Sequence, residues 1–494
     1  MSVTPASAPT RWRPEILALQ GLVAIFVGLR LYSNLTADLL GDEAYYWLWG
    51  QHLSWSYFDH PPLHAWLLRG VEALLGWHKF NVRLLTWVTL AVVLAVFWQW
   101  ARRLAPEDPH LWFWRGAAIY LATPMFFALT SVAYHDHLVV ALMLVAAHCF
   151  VLFVERYESG TPGWPKWLFA AAFVAGLAAL AKYSAVFLVL GFGATILLRP
   201  GLRALLRTPF PWLAALLALA LQTPVIWWNL VENGASFRYH FSGRWGGDVG
   251  GLHWEHLLIF AAQTLLFGSP FLVWPIVRLV RSRPTGGLAS AATTVATSTF
   301  LISAVTLLLV SLFMNALFYW NIPGLAVLML LLPGVMTNRW LRGAHLAHGL
   351  LWAVLVTINY AVMPLGTLLQ RQDNGASINY DWPLIAEHVT AARQPGDAIA
   401  ATHYSTASQL AFQLGTSDVL ELSPAPSQYD YWQDIGALTG KSAVILVDLE
   451  DRTKLMNYLE QHFETLTEID RFTIRRFDRY LYDWRIVRGE GFTP

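Results

Sequence analysis

The run Ile16-Leu17-Ala18-Leu19-Gln20-Gly21-Leu22-Val23-Ala24-Ile25-Phe26-Val27-Gly28-Leu29 is followed by Gly41-Asp42-Glu43-Ala44-Tyr45-Tyr46-Trp47-Leu48-Trp49. The first stretch belongs to an apolar run from Ile16 to about Leu31, close to the roughly 17–25 helical residues that cross a bilayer. The second, in the loop that follows, sets two carboxylates among aromatic rings. Arg11 and Arg13 precede the apolar run and no A-x-A site follows it, so it reads as an uncleaved first span. Further apolar segments centre near residues 92, 121, 146, 174, 191, 219, 267, 303, 326 and 357, which predicts a polytopic α-helical membrane protein with about eleven transmembrane helices.

The composition agrees. Of 494 residues 56% are hydrophobic and 13% charged, where soluble domains carry roughly 25% charge. The charge is uneven: residues 371–494 hold 29 of the 65 charged side chains and are net −7, whereas the rest is net +8. The expected organisation is a membrane domain over 1–370, with outer loops near 34–80 and 231–256, and a soluble α/β domain over 371–494. Within the latter, Ala443–Val447 reads as a buried strand, Asp451–His462 as a helix, and Phe472–Phe477 and Tyr480–Ile486 as alternating strands. A nucleic-acid footprint is disfavoured. A single cysteine, Cys149, excludes an intrachain disulfide and a cysteine-based zinc site.

Placing the N-terminus in the cytoplasm gives every inside loop basic residues: Arg102 and Arg103; Arg156 and Lys166; Arg199, Arg203 and Arg207; Arg278, Arg281 and Arg283; Arg339 and Arg342. This satisfies the positive-inside rule. An odd number of spans then sends the 371–494 domain to the other side, the periplasm of a bacterium.

Ionisable groups near apolar spans are expensive and mark function. They follow odd-numbered spans: Asp42 and Glu43; His135, Asp136 and His137; Lys182 and Tyr183; Arg238, His240 and Arg244; Tyr319, Trp320 and Asn321. Parity alone can converge them on one outward-facing cavity. The competing account of the aromatics is an interfacial belt, and of Lys182 a snorkelling span end. His60 and His64 are four apart but flank Pro61 and Pro62, which favours a structural or hydrogen-bonding role over a metal pair.

Asp42-Glu43-Ala44-Tyr45-Tyr46-Trp47, Tyr57-Phe58-Asp59-His60-Pro61-Pro62, Ala181-Lys182-Tyr183-Ser184, Trp228-Asn229 with Gly234-Ala235-Ser236-Phe237, and Tyr319-Trp320-Asn321-Ile322-Pro323 together resemble the bacterial branch of the protein mannosyltransferase superfamily. That branch includes the aminoarabinose transferases that modify lipid A. The resemblance implies a GT-C fold, a polyprenyl-phosphate-linked sugar donor, inversion at the anomeric carbon and a bacterial inner-membrane enzyme with a periplasmic C-terminal domain. Asp42 matches the family's loop acid and Asp136 its second acidic position; with Glu43 these are the expected catalytic carboxylates, and Asp42 and Asp136 could share a divalent cation.

A sugar on a lipid phosphate already has a good leaving group, so the chemistry needs a base or orienting anion at the acceptor and cations at the departing phosphate. Lys182, Arg244 and Arg238 are the expected phosphate partners. Tyr45, Tyr46, Tyr57, His60, His64, Tyr183, His240 and Trp320 are expected to contact substrates. The acceptor is expected to be lipid A or another envelope glycolipid or glycan. A protein O-glycosyltransferase of the same superfamily is the alternative, and a lipid-linked-sugar transporter or flippase a more distant one.

Overall fold

The computed structural model describes residues 14–240, 251–282, 284–369, 374–447 and 452–494. The chain divides into two compact units. One comprises Met1–Arg30, His60–Leu63 and Thr86–Val354; the other comprises Leu31–Asp59, His64–Leu85 and Leu355–Pro494. The segment after the first span therefore groups with the tail. In chain order the helices begin α1 (Pro14–Thr36), α2 (Gly41–Gln51), α3 (Leu63–Leu75), α4 (Lys79–Leu104), α5 (Pro109–Leu121), α6 (Pro124–Ser131), α7 (His135–Glu158), α8 (Trp164–Ala181) and α9 (Val186–Leu198).

The protein is helical and multi-spanning. Among the described residues, six unbroken helices are long and apolar enough to cross a membrane, and three bent pairs raise the count to nine. The expected eleven centres all fall on apolar helix. Those near 191, 219 and 267 fall on the pairs bent by 101°, 48° and 82°, and those near 121 and 326 on short helices, Pro109–Leu121 with Pro124–Ser131 and Phe318–Met329. Proline explains the difference: Pro124, Pro200, Pro224, Pro270 and Pro323 each stand in the first turn of a helix, where the missing N–H costs nothing but the preceding helix cannot continue. A hydropathy window does not register such breaks. At the 82° bend Ser269 takes φ 80°, and its hydroxyl lies 2.8 Å from His345 Nδ1.

Within the first unit α7 is central, 83% of its apolar window being buried. Asp136 in its first turn and Arg156 in its last both complement the helix dipole. Close packing elsewhere depends on Gly349, where a Cβ would stand 1.8 Å from the Ala122 carbonyl oxygen. Arg30, buried in α1, donates to the carbonyls of Thr86 and Thr130, each at 2.6 Å.

The second unit contains a five-stranded mixed sheet of order β2-β1-β3-β5-β4, with β1 (Ala398–Ala401), β2 (Leu420–Glu421), β3 (Ala443–Val447), β4 (Phe463–Arg476) and β5 (Arg479–Phe492). β1 pairs in parallel with β2 and β3, whereas β5 runs antiparallel to β3 and β4. All five residues of β3 are buried, as its uninterrupted apolar run requires for a central strand. Phe477 and Asp478, both at positive φ, form the two-residue turn that suits the twist of a hairpin. The hairpin strands extend well beyond the expected segments: the first half of β4 is mostly exposed and does not alternate cleanly, while the far end of β5 is largely buried, with Val487 and Phe492 in the core. Ile445, Val447, Leu459, Phe463 and Val487 form the core beneath the sheet.

Candidate functional site

In the first unit, α8 ends at Ala181 and Lys182 turns extended, at φ −158° and ψ 133°, before a 3-10 turn over Tyr183–Ala185. This break aims the lysine at the start of α7. Its Nζ donates to both carboxylate oxygens of Asp136, at 2.7 and 2.8 Å, and stands 5.2 Å from the centre of the Tyr319 ring. The Asp136 and Lys182 side chains are 5% and 11% exposed. Desolvation of an ion pair this deep is offset only by close geometry, and a lysine ammonium still has a third N–H to offer.

Imidazoles and phenols surround this region. The rings of His60 and His135 are 4.3 Å apart, those of His60 and His240 6.4 Å, and those of Tyr183 and His240 5.2 Å. The Tyr183 and Ser236 hydroxyls lie 3.2 Å apart. Asn229 fixes the Gly234–His240 segment by accepting from the Phe237 N–H at 3.2 Å. Trp320 packs beside Phe260, Leu307 and Ala316, and Arg238 is exposed. Arg244 lies outside the described residues.

In the second unit the two adjacent acids at the start of α2 are treated differently. Glu43 is fully buried, accepting from Arg83 Nε at 2.9 Å, Arg83 Nη2 at 2.6 Å and the Leu40 N–H at 2.9 Å. Arg83 also donates to the carbonyls of Ala37 and Asp38 at 3.0 and 2.7 Å. Asp42, half-buried, accepts from Tyr404 Oη at 3.2 Å. Adjacent helical residues point in different directions, so one acid serves the interior and the other a more open face. Arg83 is the residue that sequence reasoning missed. Its signal was an arginine four residues beyond Lys79, just inside an apolar run.

The expected substrate-contacting aromatics of this unit are mostly held within the fold. Tyr57 is buried, stacks on Trp49 at 4.4 Å and donates to the Trp49 carbonyl at 2.9 Å. Tyr45 accepts from the Gln428 N–H at 2.8 Å, and Tyr46 packs edge-on to Trp49 and His64, at 5.0 and 6.0 Å. Burial pushes the His64 imidazole down to about 3, so it is neutral at physiological pH. The tail adds Glu421, buried and accepting from the Ser427 hydroxyl. Burial raises its carboxyl to about 8.

Among the described residues no three His, Cys, Asp or Glu side chains converge as a metal set. The expected cation between Asp42 and Asp136 does not suit the Asp136 environment, because both oxygens already accept from Lys182, and an adjoining ammonium repels a divalent ion.

Residues 59–228 match the Dolichyl-phosphate-mannose-protein mannosyltransferase family, a stretch that contains Asp136 and Lys182. The chain is 28% identical over 259 residues to the lipid A galacturonosyltransferase RgtD of Rhizobium johnstonii, a match covering 50% of this chain and 50% of that protein. The matched region thus spans about half the length of this curated relative. ArnT from Cupriavidus metallidurans bound to undecaprenyl phosphate superposes over 97% of this chain and 98% of its own, with TM-score 0.63 and 14% identity. The archaeal oligosaccharyltransferase AglB from Archaeoglobus fulgidus, in complex with an inhibitory peptide and a dolichol-phosphate, covers 90% of this chain and 70% of its own, with TM-score 0.52 and 12% identity. The chain therefore has the GT-C fold, and part of it is similar to the mannosyltransferase family and to a lipid A galacturonosyltransferase, in line with the resemblance its motifs carry.

Proposed function

We propose that this protein is an inverting glycosyltransferase that moves a sugar from a polyprenyl-phosphate donor to lipid A, or to a closely similar envelope glycolipid, on the periplasmic side of a bacterial inner membrane. The observation that carries the reading is the buried Asp136–Lys182 pair, which lies in the stretch matching a lipid-phosphate-dependent family. Two proteins sharing the fold hold undecaprenyl phosphate or dolichol-phosphate, and the relative RgtD modifies lipid A.

In this reading an acceptor hydroxyl attacks the anomeric carbon, the bond from that carbon to the phosphate oxygen breaks, and the hydroxyl proton passes to the Asp42 carboxylate. Lys182 stabilises the charge growing on the departing lipid phosphate, while Asp136 holds the ammonium in place. Tyr183, His60 and His240 bind the donor beside Lys182, and Arg238 and Arg244 add positive charge at the phosphate. Glu43 serves the fold through Arg83. A protein hydroxyl acceptor is the second reading, favoured by the description of the matching family.

Mass spectrometry of lipid A, core glycolipid and surface proteins from cells with and without the protein tests both. A sugar-sized mass increment on lipid A that depends on the protein supports the first reading. An increment confined to surface proteins supports the second, and no increment in any fraction contradicts transfer.

A further inference from the structure

The soluble part of the second unit is built onto the helix that carries Asp42. A Cβ added at Gly41 would stand 2.6 Å from Ser405 Cβ, so the first turn of α2 rests directly on the start of the Tyr404–Leu414 helix. The flanking backbone is held as well: Gly41 N–H donates to Asn379 Oδ1 at 3.3 Å, Gln409 Nε2 donates to the Leu39 carbonyl, and Asp38 Oδ2 accepts from the Trp382 N–H at 3.3 Å. One turn further along α2, Tyr45 is fixed by the Gln428 N–H and by the Tyr429 ring, which lies parallel to it within 4°.

Tyr404 stands where these restraints meet. Its ring packs on Tyr45 at 4.4 Å and on His403 at 4.3 Å, and its hydroxyl donates to Asp42 Oδ1 at 3.2 Å. A phenol restrained in this way directs one lone pair of the carboxylate and lowers its freedom to rotate. That is how a supporting shell orients a reacting group.

We infer that Tyr404 is a positioning residue for Asp42, so that the C-terminal domain supplies a working part of the transfer machinery. This inference rests on the reading of Asp42 as the acceptor-side base. It gives the tail a role that motif matching in the membrane region does not provide: the tail sets the direction in which Asp42 accepts a proton.

Tyr404→Phe keeps the ring contacts and removes only the hydroxyl. The test uses the full-length protein in detergent, polyprenyl-phosphate-linked galacturonic acid as donor and purified lipid A as acceptor. Loss of one hydrogen bond to a charged group should lower kcat by about ten-fold. Donor KM should stay within about two-fold, because the donor phosphate is bound elsewhere. The acid limb of the pH–rate profile should move to higher pH, since a carboxylate without its donor is more readily protonated. In an Asp42→Glu background, where the hydrogen-bond geometry is already lost, the same substitution should cost less than about two-fold. Wild-type kcat and pH profile in Tyr404→Phe would overturn the inference, as would an undiminished ten-fold loss in the Asp42→Glu background. Absence of transfer by the wild-type protein, together with no protein-dependent mass increment in any cell fraction, would instead overturn the glycosyltransferase reading beneath it. Thermal unfolding of Tyr404→Phe should match wild type, and a large drop accompanied by proportional loss of all activity would assign Tyr404 to the fold alone.

Discussion

Lys182 Nζ lies 2.7 and 2.8 Å from the two carboxylate oxygens of Asp136, at the point where α8 breaks and α7 begins. The cation neutralises a buried carboxylate and, in the proposed mechanism, also offers charge to a departing phosphate, two roles that substitutions can separate.

Lys182→Met leaves Asp136 buried without its ammonium, which should destabilise the protein by about 3–5 kcal/mol. Removing the cation from the phosphate should lower turnover by about 30- to 800-fold. Asp136→Asn combined with Lys182→Met should recover much of the stability, because no isolated charge remains, while turnover stays low. Thermal unfolding and transfer kinetics on the three proteins check this. Recovery of turnover together with stability would limit the pair to a structural role.

Glu43 and Arg83 form the second buried pair. Glu43→Gln should destabilise by about 3 kcal/mol, with transfer per folded molecule little changed. Arg83→Met should be at least as destabilising, since it also releases the Ala37 and Asp38 carbonyls. A Glu43→Gln protein of normal stability and abolished turnover would return Glu43 to the catalytic group.

Glu421 makes stability fall with rising pH. Its carboxyl ionises near 4.5 when unfolded and at about 8 when folded, so across that window the folded state retains a proton that the unfolded state has lost. Stability contributed at pH 4.5 and below is withdrawn as pH rises toward 8, by roughly 4 to 5 kcal/mol in all. Glu421→Gln should flatten this slope in pH-dependent unfolding monitored by tryptophan fluorescence. An unchanged slope would place the proton uptake elsewhere.

The orientation proposed from the basic loops is tested by a reporter fused after Gly375, which should report a non-cytoplasmic location. A cytoplasmic signal would reverse the assignment.

Much of this was legible in the sequence. Each expected apolar centre fell on helix, although the apolar helix Leu63–Leu75 was not among them, and the β3 run Ala443–Val447 and the helix before Phe463 fell where alternation and length predict. Motif spacing drew attention to Asp136 and Lys182 individually. Their mutual contact was not legible, because it depends on α8 ending one residue before Lys182, a backbone break that no apolar count registers. The different fates of Asp42 and Glu43 were hidden for a related reason. Neighbouring carboxylates look alike until Arg83, forty residues on, and Tyr404, from the tail, each select one. Proline-broken spans made the helix count the least accurate reading.

The most direct test of the account is transfer by the purified full-length protein and by Asp42→Asn, with polyprenyl-phosphate-linked galacturonic acid and lipid A, followed by mass spectrometry and anomeric analysis of the product. The account predicts that wild type adds one sugar with inverted anomeric configuration. It also predicts that Asp42→Asn, equally abundant and equally stable, adds essentially none. Retained configuration, or transfer by Asp42→Asn at the wild-type rate, would contradict it.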